Sequence, residues 1–294
     1  MTDRKQNIFI RISPFLKGIG QIMLQNNTWT GLFFLAGIFY GSWMMGIAAL
    51  LAAVTGTLTA KLLRYDETEI NNGLYGFSAA LVGVALVFYF QPTAFTWFAI
   101  LLGSVLATMI QHFFISRKIP GFTFPFILVT WLFLFLSHYF PALIQSRLPV
   151  TGVPDTNSFS VLSLGFGQVI FQGSSLAGIL FLLGVLISQP IAAIYGIIAA
   201  VISGFIAYRL GVPVKDIYMG LLSYNAVLCA ITFAGNKLEN GLLAFAAVVL
   251  SVLIMVQMSE MNLPALTFPF VLASWLVLFL QSQYKRVGKK DTRK

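Results

Sequence analysis

A threonine between two prolines occurs twice in the sequence, once in the stretch IPGFTFPFILVTW and once in LPALTFPFVLASW. The two hydroxyls belong to Thr123 and Thr267. A proline in the middle of a helix removes a backbone donor and leaves the carbonyl of the fourth residue before it without its helical partner. The sequence therefore predicts two broken helices, with the free carbonyl oxygens of Gly121 and Ala265 close to these hydroxyls.

Further side chains that can bond to or stack on a flat solute recur at matching places in the two halves. Each half has an amide, an aromatic ring, an aliphatic side chain and a hydroxyl. The matching pairs are Gln21 and Gln168, Phe77 and Tyr224, Leu81 and Leu228, and Thr123 and Thr267. Hydrogen-bond acceptors beside flat apolar side chains suit a small, planar, uncharged amide, whose N–H groups can donate while its faces lie against the rings. Each hydrogen bond contributes only ~1 kcal/mol net, so the solute is not trapped.

A purely structural role is the alternative for each of these residues. A phenylalanine, tyrosine or leucine in a spanning helix usually packs in a core or faces lipid, and a threonine usually bonds to a carbonyl of its own helix. A carboxamide buried in hydrocarbon without a partner is costly. Gln21 and Gln168 are therefore the strongest candidates from chemistry alone.

Several classes of chemistry lack the residues they need. All nine acidic residues fall in the termini or between the predicted spans, so no intramembrane carboxylate can couple transport to an ion gradient. The sequence contains neither a phosphate-binding loop nor a Gly-x-Ser-x-Gly motif, and His112 and His138 have no second ligand at a metal spacing. We expect the histidines to be interfacial or bonded to backbone. The sequence thus predicts passive transport without a cofactor or metal, and no enzyme.

The composition indicates which elements must position these residues. The chain is 58% hydrophobic and 9% charged, with a mean hydropathy of +0.88, whereas soluble proteins are roughly 25% charged. Its apolar windows approach the ~20 residues that a helix needs to cross a membrane and show little alternation of period two. The prediction is an all-α, polytopic membrane protein without a cleavable signal peptide. The single cysteine, Cys229, excludes an internal disulfide.

The predicted spans divide into five in each half. They are residues 28–46, 47–63, 73–90, 93–115 and 121–140, then 175–188, 190–208, 217–234, 240–258 and 265–283. With the N-terminus inside, all of the 18 lysines and arginines except Arg147, Arg209 and Lys215 fall on the cytoplasmic side. This bias predicts that both termini are cytoplasmic. The basic tail then anchors the chain near anionic lipid, and no nucleic-acid partner is expected.

The sequence also contains an internal repeat. The block GQIMLQNNTWTGLFFLAG (20–37) matches GQVIFQGSSLAGILFLLG (167–184), and GLYGFSAALVG (73–83) matches GLLSYNAVLCA (220–230). Matching blocks in the same order predict a duplicated unit, with repeats at 1–145 and 146–294. An odd number of spans inverts the second repeat, and inverted repeats commonly surround a pathway near the midplane. A scaffold without transport is the alternative.

Each repeat is predicted to begin with a half-helix, at about 14–26 and about 161–173. A helical stretch of this kind is roughly 17 Å long at 1.5 Å per residue, too short to span the membrane. Backbone ends at membrane depth are tolerated only when they are buried in protein or line a wet cavity. The repeated break therefore predicts a pore.

The doubled motif IPGFTFPF and LPALTFPF, the GLYGFSAALVG block and the Gln-x-x-aromatic half-helix resemble the urea transporter family. The resemblance extends over roughly residues 14–283 in both halves. It implies passive, channel-like diffusion of urea through a pore surrounded by two inverted halves. It also implies a homotrimer in the lipid bilayer with one pore per protomer, and we expect a bacterial inner membrane.

The resemblance also implies roles for individual residues. Thr123 and Thr267 would narrow the middle of the pathway, with Leu81 and Leu228 beside them. The remaining implied pore residues are Phe77 with Leu24 in the cytoplasmic slot, Tyr224 with Phe171 in the outer slot, and Gln21, Ile22, Gln168 and Val169 beside oxygen ladders of backbone carbonyls.

Three positions depart from the pattern of that family. Leu24 stands where an aromatic slot residue is expected, Gln168 where some members have glutamate, and Tyr224 adds a hydroxyl to an expected phenylalanine. Urea remains the preferred substrate. A channel for another small neutral solute, namely a short-chain amide, ammonia or water, is one alternative, and a membrane enzyme or scaffold without transport is another.

Overall fold

The computed structural model describes residues 12–146 and 158–291. Within these residues the regular elements are helices, apart from an isolated antiparallel bridge between Phe90 and Gln145. The prediction of an all-α membrane protein is confirmed. Four helices of the described chain are long and apolar enough to cross a membrane, and a fifth span results if one sharply bent pair is counted as one.

The helices follow the same order in the two halves. The first half contains α1 (12–20), α2 (Thr28–Gly41), α3 (Trp43–Leu62), α4 (Glu67–Asn71), α5 (Phe77–Tyr89), α6 (Ala94–Ser116) and α7 (Phe124–Leu136). The second half contains α8 (Ser158–Gly167), α9 (Ser175–Ser188), α10 (Pro190–Arg209), α11 (Val214–Tyr218), α12 (Tyr224–Phe233), α13 (Leu238–Glu260) and α14 (Phe268–Asp291). The four helices that pass the membrane-span criterion are α3, α6, α10 and α13.

Four pairs of corresponding helices have equal lengths. Helices α2 and α9 have 14 residues each, α3 and α10 have 20 each, and α6 and α13 have 23 each. The short helices α4 and α11 have five each. Helices α5 and α12 are buried along nearly their whole length, so the residues predicted for the pore on these two helices lie in the centre of the molecule.

Both half-helices end in the same strained turn. A 3-10 turn, Gln21–Met23 or Gln168–Ile170, is followed by a residue in the left-handed conformation, Leu24 (φ 62°) or Phe171 (φ 57°). This geometry costs a residue other than glycine roughly 1–2 kcal/mol. The strain falls on Leu24 and Phe171, the residues that the family resemblance implies for the two slots, and strain of this kind is common at functional sites.

Backbone hydrogen bonds hold this turn. In the first half Gln25 N donates to Gly20 O over 3.1 Å and Leu24 N to Gln21 O over 2.9 Å, and the second half repeats the pair, with 3.0 Å from Gln172 N to Gly167 O. This is the Schellman arrangement, which satisfies carbonyls at a helix end. In the second half the chain then turns by 87° into α9, so the half-helix ends inside the protein.

A glycine allows each half-helix to pack closely against the helix that follows it. A Cβ atom at Gly31 in α2 would overlap the carbonyl oxygen of Leu16, and one at Gly178 in α9 would overlap the carbonyl oxygen of Ser163. Backbone contact at these two glycines holds α1 against α2 and α8 against α9.

The prediction that the second proline of each motif breaks a helix is wrong. Pro125 and Pro269 are the second residues of α7 and α14. A proline is tolerated there because the first N–H groups of a helix have no helical partner in any case. The motif therefore starts a helix inside the protein and does not interrupt one.

The carbonyls expected to be free are also bonded. Gly121 O accepts from Phe124 N at 2.9 Å, and Ala265 O accepts from Phe268 N at 3.0 Å. These bonds close the turn that leads into each helix. The predicted free acceptors at Gly121 and Ala265 are thus corrected, and acceptors for a solute must be sought elsewhere.

Candidate functional site

The two motif threonines meet at the junction of the halves. Their Oγ1 atoms are 2.6 Å apart, and the side chains are 3% and 2% exposed for Thr123 and Thr267. A hydroxyl pair of this kind uses one of its two protons internally, so one proton and several lone pairs remain for another partner. The junction can therefore both donate and accept within an apolar interior.

Two tryptophans connect the two motifs by hydrogen bonds across the junction. Trp131 Nε1 donates to Pro264 O at 2.8 Å, and Trp275 Nε1 donates to Pro120 O at 2.7 Å. Each indole also packs on the first aromatic residue of the opposite helix, with ring centroids 5.3 Å apart for Trp131 and Phe268. The recurrence of these tryptophans in both motifs was the sequence signal for this role, which sequence reasoning did not assign.

A cavity of about 220 Å³ lies beside Thr267. Five of the predicted pore residues line it together: Gln168, Val169, Phe171, Tyr224 and Thr267. The rest of its lining is Phe88, Tyr89, Leu221, Met255, Ser259, Leu263, Ala265 and Leu266. Among these described residues none carries a charge, so the cavity suits a neutral solute.

Aromatic rings from the first half form part of this second-half cavity. Phe88 and Tyr89, at the end of α5, lie 4.9 and 6.1 Å from Phe171 between ring centroids. The Phe126 ring lies 6.4 Å from Phe171 on another side. Sequence reasoning missed Phe88 and Tyr89, because periodicity within one helix does not tell which residues of the other half it meets.

The two glutamines are anchored in the same way. Gln21 Nε2 donates to Asn72 O at 2.9 Å, and Gln168 Nε2 donates to Met219 O at 2.9 Å. Each amide is thereby oriented by the backbone that follows a short helix, α4 or α11. The oxygen Oε1 of each side chain can still accept hydrogen bonds, which is the chemistry expected of an amide beside a solute pathway.

A second pair of glutamines, which sequence reasoning did not single out, follows the first pair by four residues in each half. Gln25 Nε2 donates to Met23 O at 2.9 Å, and Gln172 Nε2 donates to Ile170 O at 3.0 Å. Both side chains are buried. The repeated spacing GQxxxQ was the available signal, and these amides stabilise the end of each half-helix.

The other predicted residues are placed as follows. Leu81 and Leu228 are fully buried on α5 and α12, one turn after Phe77 and Tyr224. Ile22 and Phe77 are buried and Leu24 is half-buried. The cavity beside Thr267 does not include Leu81, Leu228 or the first-half set of Gln21, Ile22, Leu24, Phe77 and Thr123.

The first half carries a polar cluster near α4. The Tyr75 hydroxyl bonds to Glu69 Oε2 and lies 2.9 Å from His112 Nδ1, and the Tyr65 ring stacks on His112 at 3.6 Å. In the bond to Glu69 the tyrosine hydroxyl is the donor and the carboxylate oxygen accepts.

The two histidines differ in their contacts. His138 Nδ1 lies 3.0 Å from Leu134 O, as expected for a histidine bonded to backbone. His112 instead contacts the side chains of Tyr65 and Tyr75, because the loop around α4 folds over the end of α6. In the described parts of the chain, no three His, Cys, Asp or Glu side chains are arranged to hold a metal ion.

Comparison with known proteins adds to this geometry. A family model described as urea transporter matches residues 12–282. Urea transporter 1 of Rattus norvegicus is 28% identical over 304 residues, which covers 95% of this chain and 79% of that protein. The proteins of the same name from Ovis aries and Capra hircus are each 27% identical with the same coverage.

Proposed function

Since this chain belongs to the urea transporter family, we propose that it conducts urea passively through a channel-like pore formed by the two halves of one chain. The family is one of transporters, so the chain is a transporter and not an enzyme. The observation that carries the proposal is the pair of Thr123 and Thr267 hydroxyls at the junction, next to an uncharged cavity with aromatic walls.

In the second half, solute recognition would use the groups that line the cavity. The N–H groups of urea would donate to Gln168 Oε1 and Thr267 Oγ1, while its flat faces lie against Phe171 and Tyr224. Each bond made in the pore replaces one made to water and contributes only ~1 kcal/mol net. A solute held this weakly can enter and leave, as conduction requires.

In the first half, the corresponding slot would consist of Phe77 and Leu24, with Gln21 and Ile22 beside backbone acceptors. Leu81 from the first half and Leu228 from the second would lie beside the threonines. Val169 would lie beside backbone acceptors in the second half. Leu24 supports the placement of the slot because it occupies the same left-handed turn as Phe171. The four helix pairs of equal length support the proposal that residues 1–145 and 146–294 are repeats. An odd number of spans in each repeat would insert the two with opposite orientation.

The membrane arrangement is proposed on the charges and on the resemblance. The bias of lysine and arginine supports a cytoplasmic position for both termini. A homotrimer in a bacterial inner membrane, with one pore in each protomer, completes the proposal and follows from the family resemblance of the sequence.

Urea flux through the purified protein tests this function. Liposomes that contain the protein should release urea faster than empty liposomes, at a rate that does not change when a sodium or proton gradient is imposed. Release that requires such a gradient would contradict a passive mechanism. The absence of release would contradict transport and favour a scaffold.

A short-chain amide is a second candidate solute. The observation in its favour is Leu24, which replaces one of two expected slot rings with a flexible aliphatic side chain. Competition in the same liposomes decides between the two solutes. Weak inhibition of urea release by acetamide would favour urea, and faster permeation of acetamide than of urea would favour the amide.

A further inference from the structure

The carboxamide of Asn225 occupies the place of a missing helical hydrogen bond. In a helix that continued backwards from α14, Phe270 N would donate to Leu266 O, four residues before it. Leu266 instead adopts the left-handed conformation, with φ 48°. Asn225 Oδ1 accepts from Phe270 N at 3.1 Å, and Asn225 Nδ2 donates to Leu266 O at 3.3 Å. One side chain thus bridges both ends of the broken bond.

Tyr224 acts on the same carbonyl. Its hydroxyl donates to Leu266 O at 2.6 Å, so this oxygen accepts from two side chains and uses both of its lone pairs. The hydroxyl that distinguishes Tyr224 from a phenylalanine is therefore directed at backbone, although the ring lines the cavity. Thr267, the next residue after Leu266, is held at the junction by these contacts.

The first half lacks these two groups. Phe77 stands in the place of Tyr224 and has no hydroxyl, while Ser78 stands in the place of Asn225. The Ser78 hydroxyl is 3.5 Å from Gln111 Oε1, on α6. The turn at Phe122 has the same left-handed geometry as that at Leu266, with φ 46°. The turns at Phe122 and Leu266, which form the two walls of the junction, thus have the same left-handed geometry but are stabilised by different side chains.

We propose that Asn225 and Tyr224 are positioning residues that hold the turn at Leu266 and Thr267, and that this fixed wall determines which neutral solutes pass the junction. The inference rests on the proposed function. A wall held by three side-chain hydrogen bonds keeps the Thr267 hydroxyl at one distance from the rings opposite. Without these bonds the turn can relax, and the pathway then admits a larger amide.

The ratio of N-methylurea to urea permeability in liposomes tests this proposal. Tyr224→Phe and Asn225→Ser each introduce the residue found in the first half. Tyr224→Phe removes one bond and should raise the ratio about fivefold, the factor that corresponds to one net hydrogen bond. Asn225→Ser removes two bonds and should raise the ratio at least as much. Once the leak through empty liposomes is subtracted, the ratio does not depend on the amount of folded protein, so partial misfolding does not imitate the effect.

Tyr195→Phe provides a matched control. The Tyr195 hydroxyl also donates to a backbone carbonyl, Gly235 O at 2.8 Å, but it lies outside the cavity beside Thr267. This variant loses the same type of bond and should leave the ratio unchanged. Equal ratios in Tyr224→Phe, Asn225→Ser and Tyr195→Phe would overturn the proposal.

Amide hydrogen exchange provides a readout that does not depend on transport. Exchange in the peptide that spans residues 266–271 should be faster in Asn225→Ser than in the wild type or Tyr195→Phe. Unchanged exchange would overturn the positioning role. If the wild type passes no urea, the proposed function fails together with the selectivity role, while faster exchange would still support the positioning role.

Discussion

Thr123 and Thr267 each bring one hydroxyl to the junction, and the 2.6 Å bond between them leaves one proton for a solute or a third group. The residue types at this point were predictable, because the motif is doubled in the sequence. Their contact with each other was not, since a motif does not reveal the distance between its two copies. The free carbonyls at Gly121 and Ala265 were predicted wrongly because prolines in a first turn and in mid-helix look alike in sequence.

Removal of one hydroxyl should slow conduction without unfolding the protein. Thr267→Val keeps the shape of the side chain, and it should lower urea permeability about fivefold, the effect of one lost hydrogen bond. The measurement is urea release from liposomes per amount of folded protein. Thr59→Val is the control, since the Thr59 hydroxyl bonds to Thr55 O in its own helix. Unchanged release in Thr267→Val would assign Thr267 a structural role.

At the scale of helices, the sequence predicted α3, α6, α10 and α13 well, because each is an apolar run near the length of a span. It placed the end of α2 at residue 46, whereas the helix ends at Gly41 and Ser42 caps α3 by accepting from Met45 N. The corresponding boundary in the second half was predicted correctly, because Pro190 marks the start of α10. Where no proline marks it, the boundary between two helices cannot be seen within one continuous apolar run.

The glycine contacts between half-helices and their neighbours can be tested by stability. Gly31→Ala places a Cβ against the carbonyl of Leu16, a backbone atom that cannot move freely, so we expect a loss of several kcal/mol and little folded protein. Gly204→Ala in α10 is the control, because the new Cβ would meet only Ile217 Cγ2, at 3.5 Å. Thermal unfolding in detergent measures both. Equal melting temperatures would show that α1 does not depend on this contact.

At the scale of the whole molecule, the repeat predicted two halves arranged around one pathway, and the structure adds that Thr123 and Thr267 are in contact where the halves join. The repeat did not predict that the cavity beside Thr267 would draw Phe88 and Tyr89 from the first half. Nor did it predict that Asn225 would bridge Phe270 and Leu266 while Ser78 contacts Gln111. Such differences depend on packing between helices far apart in sequence, which a single chain's periodicity does not encode.

Chemical block of the cavity tests the proposed pathway most directly. Ala265 lines the cavity, and the single native cysteine, Cys229, is fully buried. A small methanethiosulfonate reagent should therefore stop urea release through Ala265→Cys and leave the wild type unaffected. Complete modification of the new thiol, verified by mass spectrometry, with urea release unchanged would contradict a pathway through this cavity.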